Sequence, residues 1–209
     1  MDRRKFPFLF GFSILFGLYL TSLYSYLLFH GLAEMFSIII ACATFMIAWN
    51  SRRFLDNHYL LFIGIAYLFV GGLDTIHTLA YQGMGVFSGK DANLPTQLWI
   101  AARYLQSLSL LLAPLWIDRK LKANSVLLAY GVVAALLLLA ISPWQIFPDC
   151  FIEGRGLTPF KKISEYIISL ILATAMLLLR QRRKEFDPAV FHLLNGAILA
   201  TIAAEMAFT

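Results

Sequence analysis

Long apolar runs alternate with short polar connections along the whole chain. A helix of roughly 20 apolar residues crosses the hydrocarbon layer of a bilayer, so each run bounded by charge, proline or glycine predicts one membrane span. The pattern therefore predicts an all-α fold, a polytopic transmembrane helix bundle with about seven visible spans. The predicted spans cover residues 7–28, 32–50, 59–80, 97–117, 125–142, 161–179 and 189–209.

The first two runs are separated by a short break. Phe29, His30 and Gly31 stand at this break, and glycine tolerates the backbone angles that a chain reversal needs. We therefore expect a tight turn there, flanked by His30 and Glu34.

Lysine and arginine are distributed unevenly between alternate connections. If the spans alternate, twelve basic residues fall on one side of the membrane and four on the other. The larger group is Arg3, Arg4, Lys5, Arg52, Arg53, Arg119, Lys120, Lys122, Arg180, Arg182, Arg183 and Lys184, and the smaller is Lys90, Arg155, Lys161 and Lys162. Because cytoplasmic loops carry such an excess, we predict a multi-pass protein of a bacterial inner membrane with a cytoplasmic N-terminus.

The last apolar run continues to Thr209 without a charged flank. By the parity of the spans this end lies outside, so we expect an eighth helix to follow it and to lead into the cytoplasm. Residues 1–209 are therefore expected to be a single integral-membrane domain of a longer protein.

Composition agrees with a lipid environment. Hydrophobic residues make up 60% of the chain and charged residues 14%, with a mean hydropathy of +0.73, whereas a soluble domain is roughly half apolar and a quarter charged. The net charge of +5 comes from short basic clusters between apolar runs. Such clusters favour contact with lipid headgroups over nucleic acid as the partner.

Seven ionisable side chains fall in or beside the predicted spans, all towards the outer side: His30, Glu34, Asp74, His77, Arg103, Glu165 and Glu205. Charged residues near the bilayer centre cost at least about 2.5–3.5 kcal/mol each on insertion scales, so they usually face the bundle interior and pair. Arg103 needs a carboxylate partner, for which Glu34, Asp74 and Glu205 are candidates. The predicted ligand-binding or sensing residues are His30, Glu34, Asp74, His77, Tyr81, Trp99, Arg103 and Glu205.

A divalent metal is a sharper alternative for the same region. His30, Glu34, Asp74 and His77 offer two imidazoles and two carboxylates, which suits zinc or a related ion if the first two spans pack against the third. Axial ligation of a haem by His30 and His77 is a weaker alternative. The metal reading predicts an integral-membrane metal-dependent enzyme or transporter that uses His30, Asp74 and His77, and a structural anchor or homodimerisation module is the third hypothesis.

Motifs for soluble catalysis do not occur in the sequence. There is no Gly-x-Ser-x-Gly, no phosphate-binding glycine-rich loop and no cysteine pair with metal-ligand spacing. We therefore do not expect this chain itself to be an enzyme.

Several segments resemble the third class of membrane-associated sensor (MASE) domains. These segments are His30–Ser37, Ala48–Asn50, Gly72–Tyr81 with Gly83–Met84, Gln97–Tyr104, Phe147–Phe151 with Gly154 and Gly156–Thr158, and Glu205–Thr209. The resemblance implies an N-terminal sensory module of bacterial signalling proteins, which a cytoplasmic histidine kinase, diguanylate cyclase or PAS segment follows in the same parent chain. It also implies a part in signal transduction, such as a two-component system, with an unknown small ligand or ion as stimulus.

Overall fold

The computed structural model describes residues 6–55, 57–87 and 91–208. Arg3, Arg4, Lys5, Lys90 and Thr209, which entered the predictions of orientation and of an eighth helix, lie outside these residues. Within the described ranges the α-helices are α1 (Phe6–Tyr24), α2 (Tyr26–Ser51), α3 (Tyr59–Ala80), α4 (Asn93–Leu112), α5 (Ala123–Ile141), α6 (Pro159–Gln181) and α7 (Pro188–Ala207). Two 3₁₀ turns, Ala113–Trp116 and Arg183–Glu185, and two short strands, β1 (Phe151–Ile152) and β2 (Gly156–Leu157), complete the secondary structure.

The helices confirm the predicted all-α membrane bundle. Among the described residues, six helices, α2 to α7, are long and apolar enough to cross a membrane by length and composition, when α4 is taken together with the 3₁₀ turn that follows it. The described apolar part of α1, Gly11–Tyr24, is shorter than a full span. Leucine, isoleucine and phenylalanine side chains cover the outer faces of α2, α5 and α6, as expected for surfaces that face lipid.

The break between the first two helices lies at Ser25, so the expected turn at residues 29–31 is wrong. Ser25 has extended backbone angles, and its Oγ accepts a hydrogen bond of 3.3 Å from the Leu28 amide. Serine at this N-cap position satisfies an amide that a helix start leaves free. His30, Gly31 and Glu34 consequently lie inside α2, and His30 and Glu34, four residues apart, share one helix face.

The centre of the bundle is α3, which packs against α2, α4 and α5. Small residues allow α2 to approach it closely. A Cβ atom added at Gly64 would lie 2.5 Å from the Ala48 Cβ, and one at Gly71 would lie 3.1 Å from the Ala41 Cβ. This seven-residue spacing on both helices forms a seam of small residues, a common way for membrane helices to pack.

A β-hairpin closes one end of the bundle. Phe151 pairs with Leu157 and Ile152 with Gly156, and Gly154 and Gly156 adopt positive φ angles in the turn. We call the end of the bundle that carries this hairpin the hairpin end.

The hairpin is attached to the start of α4 by Asn93. The Asn93 Oδ1 accepts hydrogen bonds from the Cys150 and Phe151 amides at 2.8 and 3.0 Å, and its Nδ2 donates to the Asp149 carboxylate at 2.7 Å. Gln97 Nε2 adds bonds to the carbonyls of Phe147 and Pro148. One turn of α4 thus fixes the position of the connection before α6.

The opposite end of the bundle is basic. A surface depression there is lined by Arg52, Arg53, Leu55, His58, Ile117, Asp118, Arg119 and Lys120. Arg182 forms an ion pair of 2.8 Å with Asp118, and both side chains are about half exposed. We call this end the basic end.

Candidate functional site in the hairpin half of the bundle

Arg103 and Asp74 form a buried ion pair between α4 and α3. Arg103 Nη2 lies 2.6 Å from each of the two Asp74 carboxylate oxygens. The two residues are only 9% and 3% exposed. Because a lone charge in this position would be costly, each residue stabilises the other and the pair ties α3 to α4.

Neighbouring side chains hold the Arg103 guanidinium in one orientation. Arg103 Nη1 donates to Gln106 Oε1 at 2.6 Å, and Gln106 Nε2 donates to the Tyr67 hydroxyl at 3.1 Å. The guanidinium carbon also lies 4.6 Å from the centre of the Trp99 ring, where it makes a cation–π contact. Arg103 thereby connects a charged pair to an aromatic side chain one turn earlier on α4.

The His77 ring is oriented by the first turn of α4. Its Nδ1 lies 2.8 Å from the carbonyl oxygen of Pro95. Because a carbonyl oxygen only accepts, Nδ1 carries the hydrogen and the lone pair of the neutral ring is on Nε2. Nε2 is buried and has no hydrogen-bond partner among the described residues.

His30 lies next to His77, on α2. The two imidazole rings have centroids 5.6 Å apart, and the His30 ring packs against Tyr81 at 3.8 Å. Within the described part of the chain, His30 Nε2 is also buried without a hydrogen-bond partner. Burial raises the pKa of the Tyr81 hydroxyl, with a smaller contribution from Tyr26, so the phenol stays protonated at neutral pH.

Glu34 completes a group of three potential metal ligands. One ligand atom from each of His30, Glu34 and His77 lies within 4.8 Å of the others. We call these three residues the imidazole group. Asp74 is not part of it, since both of its carboxylate oxygens face Arg103.

A second set of charges comes from α6 and α7. Lys161 Nζ lies 2.5 Å from Glu165 on the same face of α6, and it also donates to the carbonyl oxygen of Phe208. Glu165 and Glu205 are fully buried. Glu205 interacts electrostatically with Arg103, Glu165 and Lys161. The charges of α6 and α7 are therefore continuous with the Arg103–Asp74 pair.

A cavity of about 390 Å³ lies between these side chains. Its walls come from α2, α3, α4, α6, the hairpin and the end of α7. They are formed by Tyr26, Phe29, His30, Ala33, Glu34, His77, Tyr81, Thr96, Trp99, Leu157, Lys161 and Phe208. We call it the central cavity. It combines aromatic surface with a cation, a carboxylate and two imidazoles, which is the composition of a small-molecule or ion site.

Comparison with known proteins identifies the family. The model of the membrane-associated sensor domain family MASE3 matches residues 21–209, nearly the whole chain. The chain belongs to this family. No curated protein and no solved structure matches it. A sensor domain is an input module, so membership favours a non-catalytic role for this MASE3 chain and confirms the resemblance in its sequence.

The eight residues singled out in this MASE3 sequence all lie in the hairpin half of the bundle. Five of them line the central cavity: His30, Glu34, His77, Tyr81 and Trp99. The other three, Asp74, Arg103 and Glu205, are buried and interact with one another electrostatically. For the haem alternative, a macrocycle would need a planar gap between α2 and α3. The His30 and His77 ring centroids are 5.6 Å apart, and the His30 ring packs against Tyr81.

Sequence reasoning placed Glu165 among the ionisable groups on the outer side, but it missed Lys161 as the partner of Glu165 and left both out of the predicted sensing residues of this MASE3 chain. Lys161 was assigned to an outer connection together with Lys162, although only Lys162 is exposed. The spacing of Lys161 and Glu165, four residues apart at the start of an apolar helix, is the signal that could have revealed the pair. Gln106 and Tyr67, which hold Arg103, carried no comparable signal.

Proposed function

We propose that this MASE3 chain is the transmembrane input domain of a bacterial signalling protein and that the central cavity binds its stimulus, a small ligand or ion. The observation that supports this most directly is the convergence of charged side chains from α2, α3, α4, α6 and α7 next to one cavity. In this proposal, binding of the stimulus changes the packing of the bundle, and that change is transmitted to a cytoplasmic output domain of the same parent chain.

The energetics favour a binding role over a structural anchor. Arg103, Lys161, Asp74, Glu165 and Glu205 are each less than 10% exposed, and buried charges of this kind are expensive compared with apolar packing. A set of charges that only joined helices would need no cavity beside it. A binding role would account for the free-energy cost of burying these charges. A ligand in the cavity lined by Lys161 and Glu34 would meet oriented charges with little competing water, where electrostatic attraction is strong.

The relay requires two packings of the bundle with different affinities for the stimulus. The Arg103–Asp74 pair joins α3 to α4, and the Lys161 contact with Phe208 joins α6 to the end of α7. A ligand in the cavity would touch Lys161 and Phe208 directly, and it would reach the Arg103–Asp74 pair through Trp99, which contacts Arg103. It can therefore favour one relative position of the two helix pairs over the other.

The orientation belongs to the same proposal. The basic residues of the basic end favour the cytoplasmic side of an inner membrane, so the hairpin and the mouth of the cavity would face the periplasm. A cysteine placed at Arg155 should react with a membrane-impermeant thiol reagent in whole cells, and one placed at Arg183 should not. The reverse result would overturn this orientation.

Substitution of Arg103 tests the binding role in the full-length signalling protein. We expect Arg103→Ala to change output at least tenfold, because it removes the cation that pairs with Asp74. Arg182→Ala is the matched control, since its ion pair with Asp118 is exposed and such pairs contribute about 0–1 kcal/mol. Membrane insertion and thermal stability are measured in parallel.

A second variant covers the case in which Arg103→Ala does not fold. Glu34→Gln keeps the shape of a cavity-lining side chain and removes only its charge. If Arg103→Ala folds, a normal response of that variant contradicts the proposal; if it does not fold, a normal response of Glu34→Gln contradicts it.

The imidazole group favours a second candidate, a metal-dependent membrane enzyme or a transporter. Two of the residues assigned to it, His30 and His77, are in the group, whereas Asp74 is bound by Arg103. Metal uptake into proteoliposomes containing the purified chain, abolished by His77→Ala, would favour transport over sensing.

A further inference from the structure

We infer that His30, Glu34 and His77 bind a divalent first-row transition-metal ion at the wall of the central cavity, and that this ion is what the domain detects. The second half of the inference rests on the proposed sensory function. The first half stands on the geometry of the three residues alone.

The spacing of the three ligand atoms is close to that of a metal site. All lie within 4.8 Å of one another, whereas atoms bound to one tetrahedral ion at about 2.0–2.2 Å are about 3.3–3.5 Å apart. The group therefore needs to contract by about 1.5 Å at most. Since His30 and Glu34 are on α2 and His77 is on α3, that contraction draws the two helices together, which is the kind of movement a sensor needs.

The protonation of His77 is arranged for metal binding. Its Nδ1–H donates to the Pro95 carbonyl, which leaves the Nε2 lone pair directed away from α4 and without a partner in the described residues. Histidine ligands in proteins usually have such an outer hydrogen bond, which fixes the ring and its tautomer. His30 Nε2 is likewise buried without a hydrogen-bond partner in the described residues.

The charge of the surroundings also favours a cation. The buried or cavity-lining groups are two cations, Arg103 and Lys161, and four carboxylates, those of Glu34, Asp74, Glu165 and Glu205. With every group ionised, the formal charge is −2, which one divalent ion would offset. Both cations are paired with carboxylates, Arg103 with Asp74 and Lys161 with Glu165, so neither is directed at the imidazole group.

The ligand types narrow the class of ion. Two imidazoles and one carboxylate suit zinc, iron, cobalt or nickel better than magnesium or calcium, which prefer oxygen ligands. Three protein ligands on a cavity wall leave at least one coordination position open. An open position allows the ion to exchange, unlike the closed four-ligand sites that have a purely structural role.

The test uses the purified full chain, stripped with a chelator and titrated with Co²⁺ and with Zn²⁺. We expect about one ion per chain, with visible Co²⁺ absorption bands typical of nitrogen and oxygen ligands. His30→Ala and His77→Ala should each weaken binding at least tenfold, and Glu34→Gln should shift the Co²⁺ bands. His192→Ala is the matched control, because His192 is exposed on α7 towards the basic end, and it should bind like the wild type.

The outcomes separate the metal site from the sensory role. Absence of a stoichiometric ion in the folded wild type, or binding that His192→Ala weakens as much as His77→Ala does, overturns the metal site; if Arg103→Ala still alters output, the proposed sensory function stands. Stoichiometric binding with an output that ignores added metal overturns the ion as stimulus and leaves the site. If His30→Ala and His77→Ala unfold, the Co²⁺ spectrum of Glu34→Gln decides: an unchanged spectrum overturns the site.

Discussion

The two ends of the bundle contain the same kind of ion pair in opposite surroundings. At the hairpin end, the side chains of Arg103 and Asp74 are 10% and 5% exposed. At the basic end, those of Arg182 and Asp118 are 46% and 58% exposed. Solvent screens the Arg182–Asp118 pair, so separating its two side chains costs little free energy. Separating Arg103 from Asp74 would leave a charge unpaired inside the bundle, which is much more costly.

The comparison locates the energetically costly charges at one end of the bundle. Charges at the basic end are distributed over solvent-exposed connections, as the predicted membrane orientation requires. Charges at the hairpin end are concentrated next to a cavity, and a hydrogen bond to Gln106 holds the Arg103 guanidinium there. Orientation of the chain does not explain the second arrangement, whereas the proposed binding of a stimulus would.

Removing one carboxylate from each pair gives the largest expected difference. Asp74→Ala should lower the free energy of unfolding by about 3–5 kcal/mol, because it leaves Arg103 buried without its partner. Asp118→Ala should lower it by less than about 1 kcal/mol. Unfolding in mixed micelles by a denaturing detergent measures both, and equal losses would remove the distinction between the two ends.

Two adjacent lysines sharpen the comparison within α6. Lys161 is buried beside Glu165 and Lys162 is exposed. Lys161→Met should destabilise the chain by about 3 kcal/mol, since Glu165 loses its cation, and Lys162→Met should change stability by at most about 0.5 kcal/mol. The same micelle assay applies, and a neutral Lys161→Met would mean that Glu165 is adequately satisfied by other groups.

Two glycines of α3 test whether the stability of the bundle depends on close contact between α3 and α2. A Cβ at Gly64 would meet Ala48 at 2.5 Å, and one at Gly72 would meet nothing within 4 Å. Gly64→Ala should cost about 1–3 kcal/mol from overpacking, whereas Gly72→Ala should be neutral or stabilise by up to about 1 kcal/mol. Thermal unfolding distinguishes them; similar midpoints would argue against a tight seam.

The smallest expected effect concerns the thiol of Cys150. Burial raises the pKa of this thiol to about 12, so little thiolate forms at pH 8 and reaction with iodoacetamide should be slow, increasing up to pH 12. Asn93→Ala removes three hydrogen bonds to this segment and should increase the rate several-fold in a Cys42→Ala background. Mass spectrometry measures the rate, and a rate unaffected by Asn93→Ala would show that Asn93 does not restrain the segment.

Much of the fold followed from the sequence, because long apolar runs between charged connections leave few alternatives to a helix bundle. The need of Arg103 for a carboxylate was equally clear. Which carboxylate it bonds was not, since Glu34, Asp74 and Glu205 all lie at suitable heights and the choice depends on how α3 and α4 pack. Asp74 is the one that contacts it.

Two predictions from the sequence were wrong because of local structure. Gly31 suggested a turn, but Ser25 offers a side-chain cap that glycine lacks, so α2 starts six residues earlier and carries His30 on its inner face. Lys161 was counted with the residues of a connection because counting charges by segment ignores which helix face each one occupies. Both errors concern one or two helical turns, a scale that is finer than a hydropathy window of about 19 residues resolves.

The attachment of the hairpin by Asn93 has a practical consequence for protein engineering. Its three hydrogen bonds reach residues 149–151 and leave the tip at Glu153–Arg155 without any bond from Asn93. A fluorescent or affinity tag inserted at the tip should leave the segment against α4 undisturbed, whereas the same insertion between Pro148 and Asp149 would separate it from the helix that carries Trp99 and Arg103. The tip of the hairpin is thus a site near the cavity at which an insertion should be tolerated.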